Sequence, residues 1–173
     1  MTAVVPVAAA GFRPRVGWGQ FEAAAVAALY DDYAALLDAG EYREWLELFV
    51  AEATYMVVSR ENVERGLPLA TIRCDSRAML TDRVDAIIGT QFFDRRITRH
   101  MITAVRPVSL DAVTLGTTAN FVCVETLVDE HSMIHSAGSY DDCIVAVEGI
   151  LRFSSKIAIY DAPLVPTSLI VPL

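Results

Sequence analysis

Asp31, Tyr33 and His100 are the residues of this sequence whose types could do acid–base chemistry. Asp31 stands between Tyr30 and Tyr33 on a helical stretch, and His100 follows Arg99 on a strand-like stretch that could face it. An Asp–His pair inside a curved pocket abstracts a proton, and a tyrosine hydroxyl such as that of Tyr33 donates to the oxyanion that develops. A plainer reading competes with this one. Tyr30 and Tyr33 share an apolar stripe, Asp31 and Asp32 flank it as solvated carboxylates, and Arg99 with His100 forms a salt-bridged surface. His131 and His135 have the spacing of two metal ligands on a helix. They border a strand, however, where four residues span roughly 13 Å, too far to share an ion. Cys74, Cys123 and Cys143 have no histidine at the offsets of a Rieske cluster and no close cysteine partner for zinc, so they read as small core hydrophobes. No nucleophile elbow, dinucleotide fingerprint or phosphate-binding loop occurs. Arg95, Arg96 and Arg99 form a basic island that can steer an association or line a solvated strand edge.

Composition narrows the partners. Lys plus Arg number 14 against 22 Asp plus Glu, a net charge of −8, which lacks the basic footprint that nucleic acid requires. The chain's 173 residues suit one domain, and its 54% hydrophobic content exceeds that of an ordinary soluble domain. Part of that apolar surface is therefore expected against another chain. Apolar runs such as Thr2–Phe12 are too short to cross a membrane, and no basic residue precedes the first of them, so no secretory signal is expected. Three scattered cysteines fit free thiols in a reducing cytoplasm.

Several elements must position these residues. Residues 1–19 read as an irregular arm broken by Pro6, Gly11, Pro14, Gly17 and Gly19, and residues 20–173 as one domain. Val26, Leu29, Tyr33 and Leu36/Leu37 mark a first helix from about Gln20, stopped by Gly40. Tyr42, Trp45, Leu46 and Phe49 mark a short second helix. Thr54–Val58 reads as a strand and Glu61–Gly66 as a polar connection. A third helix starts after Asp75 or Ser76, carries Leu80, Val84, Ile87 and Ile88 on one face, and ends at Gly89. Ile97–Val105, Gly116–Val128, Met133–Ile144 and Ile150–Tyr160 read as four antiparallel strands, with turns at Asp129–Glu130 and Glu148–Gly149. In the last strand Leu151, Phe153, Ile157 and Ile159 are expected on one face, with Arg152, Ser154 and Lys156 on the other. Helices followed by long antiparallel strands predict an α+β cone, a curved sheet covered by the N-terminal helices.

The segment from Cys74 to Val84, with Leu80-Thr81-Asp82-Arg83-Val84 at its end, precedes Arg96, Arg99 and His100 in an order that resembles the small (beta) subunit of aromatic-ring-hydroxylating dioxygenases. The resemblance continues through Ser136–Asp141, Lys156–Asp161 and Thr167–Leu173, and it covers the chain from about Gln20 onward. It is nearest to small subunits acting on aromatic acids, the terephthalate type. Thr103-Ala104 and Ser155-Lys156 depart from that pattern, where an Asn and an Arg-Arg pair are usual. The resemblance implies an NTF2-like (cystatin-like) cone and a non-catalytic role for this chain. It places a Rieske [2Fe-2S] cluster and a mononuclear Fe(II) in a partner alpha subunit, leaving no cofactor or metal here. It also implies an α3β3 assembly, in which Arg95, Arg96, Arg99 and His100 are candidate subunit contacts. Two other classes remain open on the residues: a free-standing isomerase or dehydratase using Asp31 and His100, and a binding module for a small apolar ligand.

Overall fold

Val26, Leu29, Tyr30, Tyr33 and Leu37 recur at helical spacing, and they form the buried face of α1 (Ala23–Ala39). The structure is a computed structural model that describes residues 13–89, 96–162, 169 and 171–173. Gly40 closes α1 in the left-handed conformation (φ 76°), and its N–H reaches back to the carbonyl of Leu37 at 3.1 Å. α2 (Tyr42–Leu46) is shorter than its sequence pattern, because Phe49 already opens β1 (Phe49–Ser59). Two elements missing from the sequence reading follow, α3 (Arg60–Glu64) and β2 (Ile72–Cys74). α4 (Arg77–Gly89) begins after Ser76, whose Oγ accepts from the Met79 N–H at 3.3 Å. Leu80, Val84 and Ile87 are buried as expected, whereas Ile88 is half exposed.

β3 (Arg96–Leu110), β4 (Thr114–Leu127), β5 (Met133–Val147) and β6 (Ile150–Tyr160) form the expected antiparallel meander. Positive φ at Asp129, Glu148 and Gly149 makes its turns. The sheet is not antiparallel throughout. Its order is β2-β1-β6-β5-β4-β3, and β1 lies parallel to β6. A parallel pair needs a long crossover, which the intervening helix and strands supply. Both strands are apolar on two faces at this junction. Tyr55 and Val57 join the main core, while Met56 and Val58 meet Ile157 and Ile159 on the other side, partly covered by Val63 of α3 and Ala70.

The alternation expected for β6 breaks at Ser154. Ile144 pairs with Phe153 but Cys143 pairs with Ser155, so Ser154 is an extra residue in the ladder. A bulge of this kind inverts the facing of every later side chain. Ile157 and Ile159 therefore point away from Phe153, and Lys156 points into the core, where it is fully buried. That core is aromatic: Tyr30, Tyr33, Trp45, Phe49, Tyr55 and Phe153 make edge contacts with one another, and Phe121 stacks on Tyr140 at 4.6 Å.

Candidate functional site

Asp38, not Asp31, meets His100. Both Asp38 carboxylate oxygens accept the backbone N–H of His100, at 3.0 and 3.1 Å, and Oδ1 accepts from the imidazole Nδ1 at 2.7 Å. Asp31 is exposed. The two aspartates are seven residues apart, nearly in line on the helix but about 10.5 Å along its axis, so the sequence stripe was correct and the turn was not. Tyr33 lies deep in the core with its hydroxyl donated to the main-chain oxygen of Leu173 at 2.5 Å. The expected Asp31–His100–Tyr33 constellation is thus not assembled, and the isomerase or dehydratase built on it is withdrawn.

With Nδ1–H committed to Asp38, the other imidazole nitrogen of His100 faces inward, and Nε2 is buried without a hydrogen-bond partner. It borders a void of about 10 Å³ lined by Thr98, Cys123, Glu125, His135 and Leu173. That is the space of a single water. Burial, reinforced by the nearby carboxylates of Asp38 and Glu125, pushes the Cys123 thiol up to about 12, so it stays protonated at neutral pH. On the far side of Val171 lies an open cleft of about 360 Å³, bordered by Leu37, Asp38, Tyr42, Ile97 and Arg99.

A second polar cluster sits in the aromatic core, where nothing in the sequence reading placed one. Asp142 accepts from Lys156 Nζ at 2.9 Å, from the Tyr30 hydroxyl at 2.5 Å and from the Ile157 N–H at 3.2 Å. Thr117 Oγ1 lies 2.9 Å from the Tyr30 oxygen. The Lys156 ammonium also lies over the Tyr140 ring, 3.1 Å from its centroid. Burial raises the Asp142 carboxyl above the usual range despite Lys156 and Tyr30, and it lowers Lys156 to about 8 despite Asp142. Both shifts have one cause: removal from water outweighs mutual attraction. Both side chains are wholly buried, and the geometry of the pair is that of a structural clamp. The alternation of β5, which puts Asp142 on the same buried face as Tyr140 and Ile144, was the available signal.

Of the candidate subunit contacts, only Arg99 is exposed; its guanidinium donates to the Thr98 carbonyl at 3.0 Å. Arg96 pairs with Glu125 at 2.8 Å, with side chains only 11% and 15% exposed. The His100 side chain is wholly inside, so the expectation of a contact there is corrected. Arg95 lies outside the described residues. No group of three His, Cys, Asp or Glu side chains able to hold a metal occurs among the described residues. Among the described residues the donor set does not fit a Rieske cluster or an iron centre.

Residues 22–156 match the SnoaL-like domain. The small subunit of anthranilate 1,2-dioxygenase from Burkholderia cepacia is 32% identical over 145 residues, covering 84% of this chain and 90% of that one. The terminal oxygenase subunit beta 2 of terephthalate 1,2-dioxygenase from Comamonas sp is 26% identical, covering 86% and 96%. A crystal structure assigned as the beta subunit of an aromatic-ring-hydroxylating dioxygenase from Novosphingobium aromaticivorans superposes with a TM-score of 0.79 at 32% identity, covering 87% and 95%.

Proposed function

The chain belongs to the SnoaL-like family and to the small subunits of aromatic-ring-hydroxylating dioxygenases, and from that premise we propose that it is a structural subunit that performs no chemistry of its own. The observation that carries this is the filled cone. Its interior holds aromatic side chains and Leu173, and beside His100 there is room for one water. An acid–base enzyme needs a substrate-sized space at that position. The chemistry then belongs to a catalytic alpha subunit, which carries the Rieske [2Fe-2S] cluster and mononuclear Fe(II) and cis-dihydroxylates the ring. The substrate is an aromatic carboxylate. The anthranilate and terephthalate relatives both bear that group in their named substrates, and the former is the more similar of the two, which widens the terephthalate-like expectation to the class.

The assembly is α3β3, with this chain forming its own trimer and supporting the alpha subunits from the cytoplasm. Its contact surface centres on the outer face of β3 and β5. Ile97 and Met101 are each 50% exposed there, Ile134 is 71% exposed, and Arg99 lies among them. Apolar area around an arginine is the composition of an interface centre. Co-expression with the large subunit should yield a complex of α3β3 mass whose iron follows the large subunit. In the same experiment Arg99→Glu should cut recovery of the complex while leaving the small subunit folded. Stoichiometric iron in the isolated chain, or a large subunit fully active and assembled without it, would overturn the proposal.

A further inference from the structure

Val147 pairs with Ile150, so Glu148 and Gly149 form the two-residue turn of the β5–β6 hairpin, at φ 53° and 81°. Positive φ at both positions is the type I′ turn, which selects Asn, Asp or Gly at the first of them. Glutamate lacks the short side chain that relieves left-handed backbone, so this tip is strained. Strain held at an exposed position points to a role outside the fold itself. The tip is also apolar. Thr114, where β4 begins, pairs with Val145, so the hairpin from Ala146 to Leu151 runs on past the end of β4. Val147, Ile150 and Val113 of the neighbouring β3–β4 turn are large apolar side chains left exposed there. Asp111 of that turn commits its Oδ1 to the N–H groups of Val113 and Thr114, at 2.9 and 2.7 Å. Glu148 has no hydrogen bond or ion pair among the described residues, so it is the uncommitted anion of the tip.

The complement of this tip lies on the same chain. Arg99 stands on the outer face of β3 with exposed Ile97 and Met101 two residues to either side. Val124 lies opposite Arg99, and exposed Ile134 lies opposite Val124. The Arg99 guanidinium donates to the Thr98 carbonyl at 3.0 Å, and its fork has further N–H groups to give a carboxylate. One surface is thus a cation ringed by apolar side chains, and the other is an anion flanked by them. Ten residues of β4, from Thr114 to Val124, separate the two, a span of roughly 34 Å. One chain cannot bring them together. A two-fold pairing of like surfaces would set arginine against arginine or glutamate against glutamate. Head-to-tail contact satisfies both, and a rotation of a third of a turn closes such contacts into a ring of three.

We propose that the Glu148 hairpin tip of one copy docks on the Arg99 face of the next, and that this contact holds the three small subunits together. The Glu148 carboxylate accepts from the Arg99 guanidinium, while Val147 and Ile150 cover Ile97, Met101 and Ile134. The rigid turn aims the carboxylate outward, and the ion pair it makes offsets the strain at Glu148. This inference rests on the α3β3 reading above and deepens it, by naming both halves of one contact and the second copy of this chain as its occupant.

Glu148→Arg, Arg99→Glu and the double variant are each co-expressed with the large subunit, and the mass of the complex is followed by sedimentation on dilution. Each single variant should fall apart at a concentration at least about tenfold higher than the natural complex does. The charge-reversed double should regain most of that loss. Glu148→Gly removes the carboxylate while suiting the turn, so it should keep a native circular dichroism spectrum and still weaken the assembly. Natural strength in Glu148→Gly or Glu148→Arg overturns the proposal. Losses in both single variants with no recovery in the double also overturn it, and would assign the two surfaces to separate partners such as the large subunit. An α3β3 complex indifferent to all four variants defeats this contact and leaves the subunit reading standing. If the natural chain forms no complex with the large subunit, that reading fails, and the small subunit alone decides the contact. A trimer weakened by Glu148→Arg and restored in the double supports it, and a monomer overturns it.

Discussion

Removing either member of the Asp142–Lys156 pair leaves the other charge in the aromatic core without its counterion, since neither side chain has any exposure. Breaking a buried pair this way costs about 3–5 kcal/mol, whereas replacing both members by apolar or neutral groups of similar size is far milder. Lys156→Met should therefore destabilise strongly, because Asp142 keeps only Tyr30 and the Ile157 N–H to hold its charge. Asp142→Asn strands the ammonium over Tyr140, with π-faces in place of a carboxylate. The double variant should regain most of the loss. Denaturant melts of the three variants measure it. Additive single losses in the double variant would show that the two residues do not act as a pair.

At the scale of elements, β3 is a long strand with one free edge, and the fold blocks that edge at several points. Asp38 takes the His100 N–H, Arg99 takes the Thr98 carbonyl, and Val16 donates to the Pro107 carbonyl at 3.1 Å. Between them Ala104 stands at φ 55°, where the β3–β4 register shifts between Thr103 and Arg106. Bulges and occupied edge groups keep such strands from pairing with other chains. Left-handed backbone costs an L-residue about 1–2 kcal/mol, and glycine's extra chain entropy returns about half of that gain. Ala104→Gly should accordingly stabilise the fold by about 0.5–1 kcal/mol, and Ala104→Val should destabilise it, in equilibrium melts. An Ala104→Gly variant less stable than the natural chain would show that the bulge is not strained. These irregularities also explain what the sequence carried and what it hid. Helix faces, turns and the order of the four long strands follow from periodicity, because each is a local pattern. The facing of Lys156 does not, because it depends on one extra residue at Ser154 measured against a neighbouring strand. The partner of His100 was visible as a helix stripe, but only the packing of α1 along β3 selects Asp38 over Asp31. α3 and the parallel seat of β1 are set by contacts with β6, distant in sequence.

For the molecule as a whole, α1, β1 and β5 send Tyr30, Tyr33, Tyr55 and Tyr140 into one core, so their titration is tied to the integrity of the entire cone. Burial is the first cause holding all four phenols above their ordinary value of 10. The Asp142 charge adds to it at Tyr30, as do neighbouring phenols at Tyr33 and Tyr140. The unfolded chain releases these protons near pH 10, whereas the folded chain retains them. Above that pH the folded state binds more protons, so stability falls with rising pH, by up to about 1.4 kcal/mol per pH unit for each tyrosine. Lys156 acts in the opposite direction. Its folded value is about 8 against 10.5 unfolded, so between these limits the unfolded chain holds the extra proton and stability rises with pH. One lysine precedes and is then outweighed by four tyrosines. Stability should climb gently from about pH 8, then fall steeply above 10, with unfolding and the main rise in phenolate absorbance occurring together. Denaturant melts across this range, with absorbance and circular dichroism on the same samples, test the sign of each limb. Phenolate signal from most of the tyrosines while the circular dichroism stays native would mean that water reaches the cone interior, and the filled core argued for this subunit would be wrong.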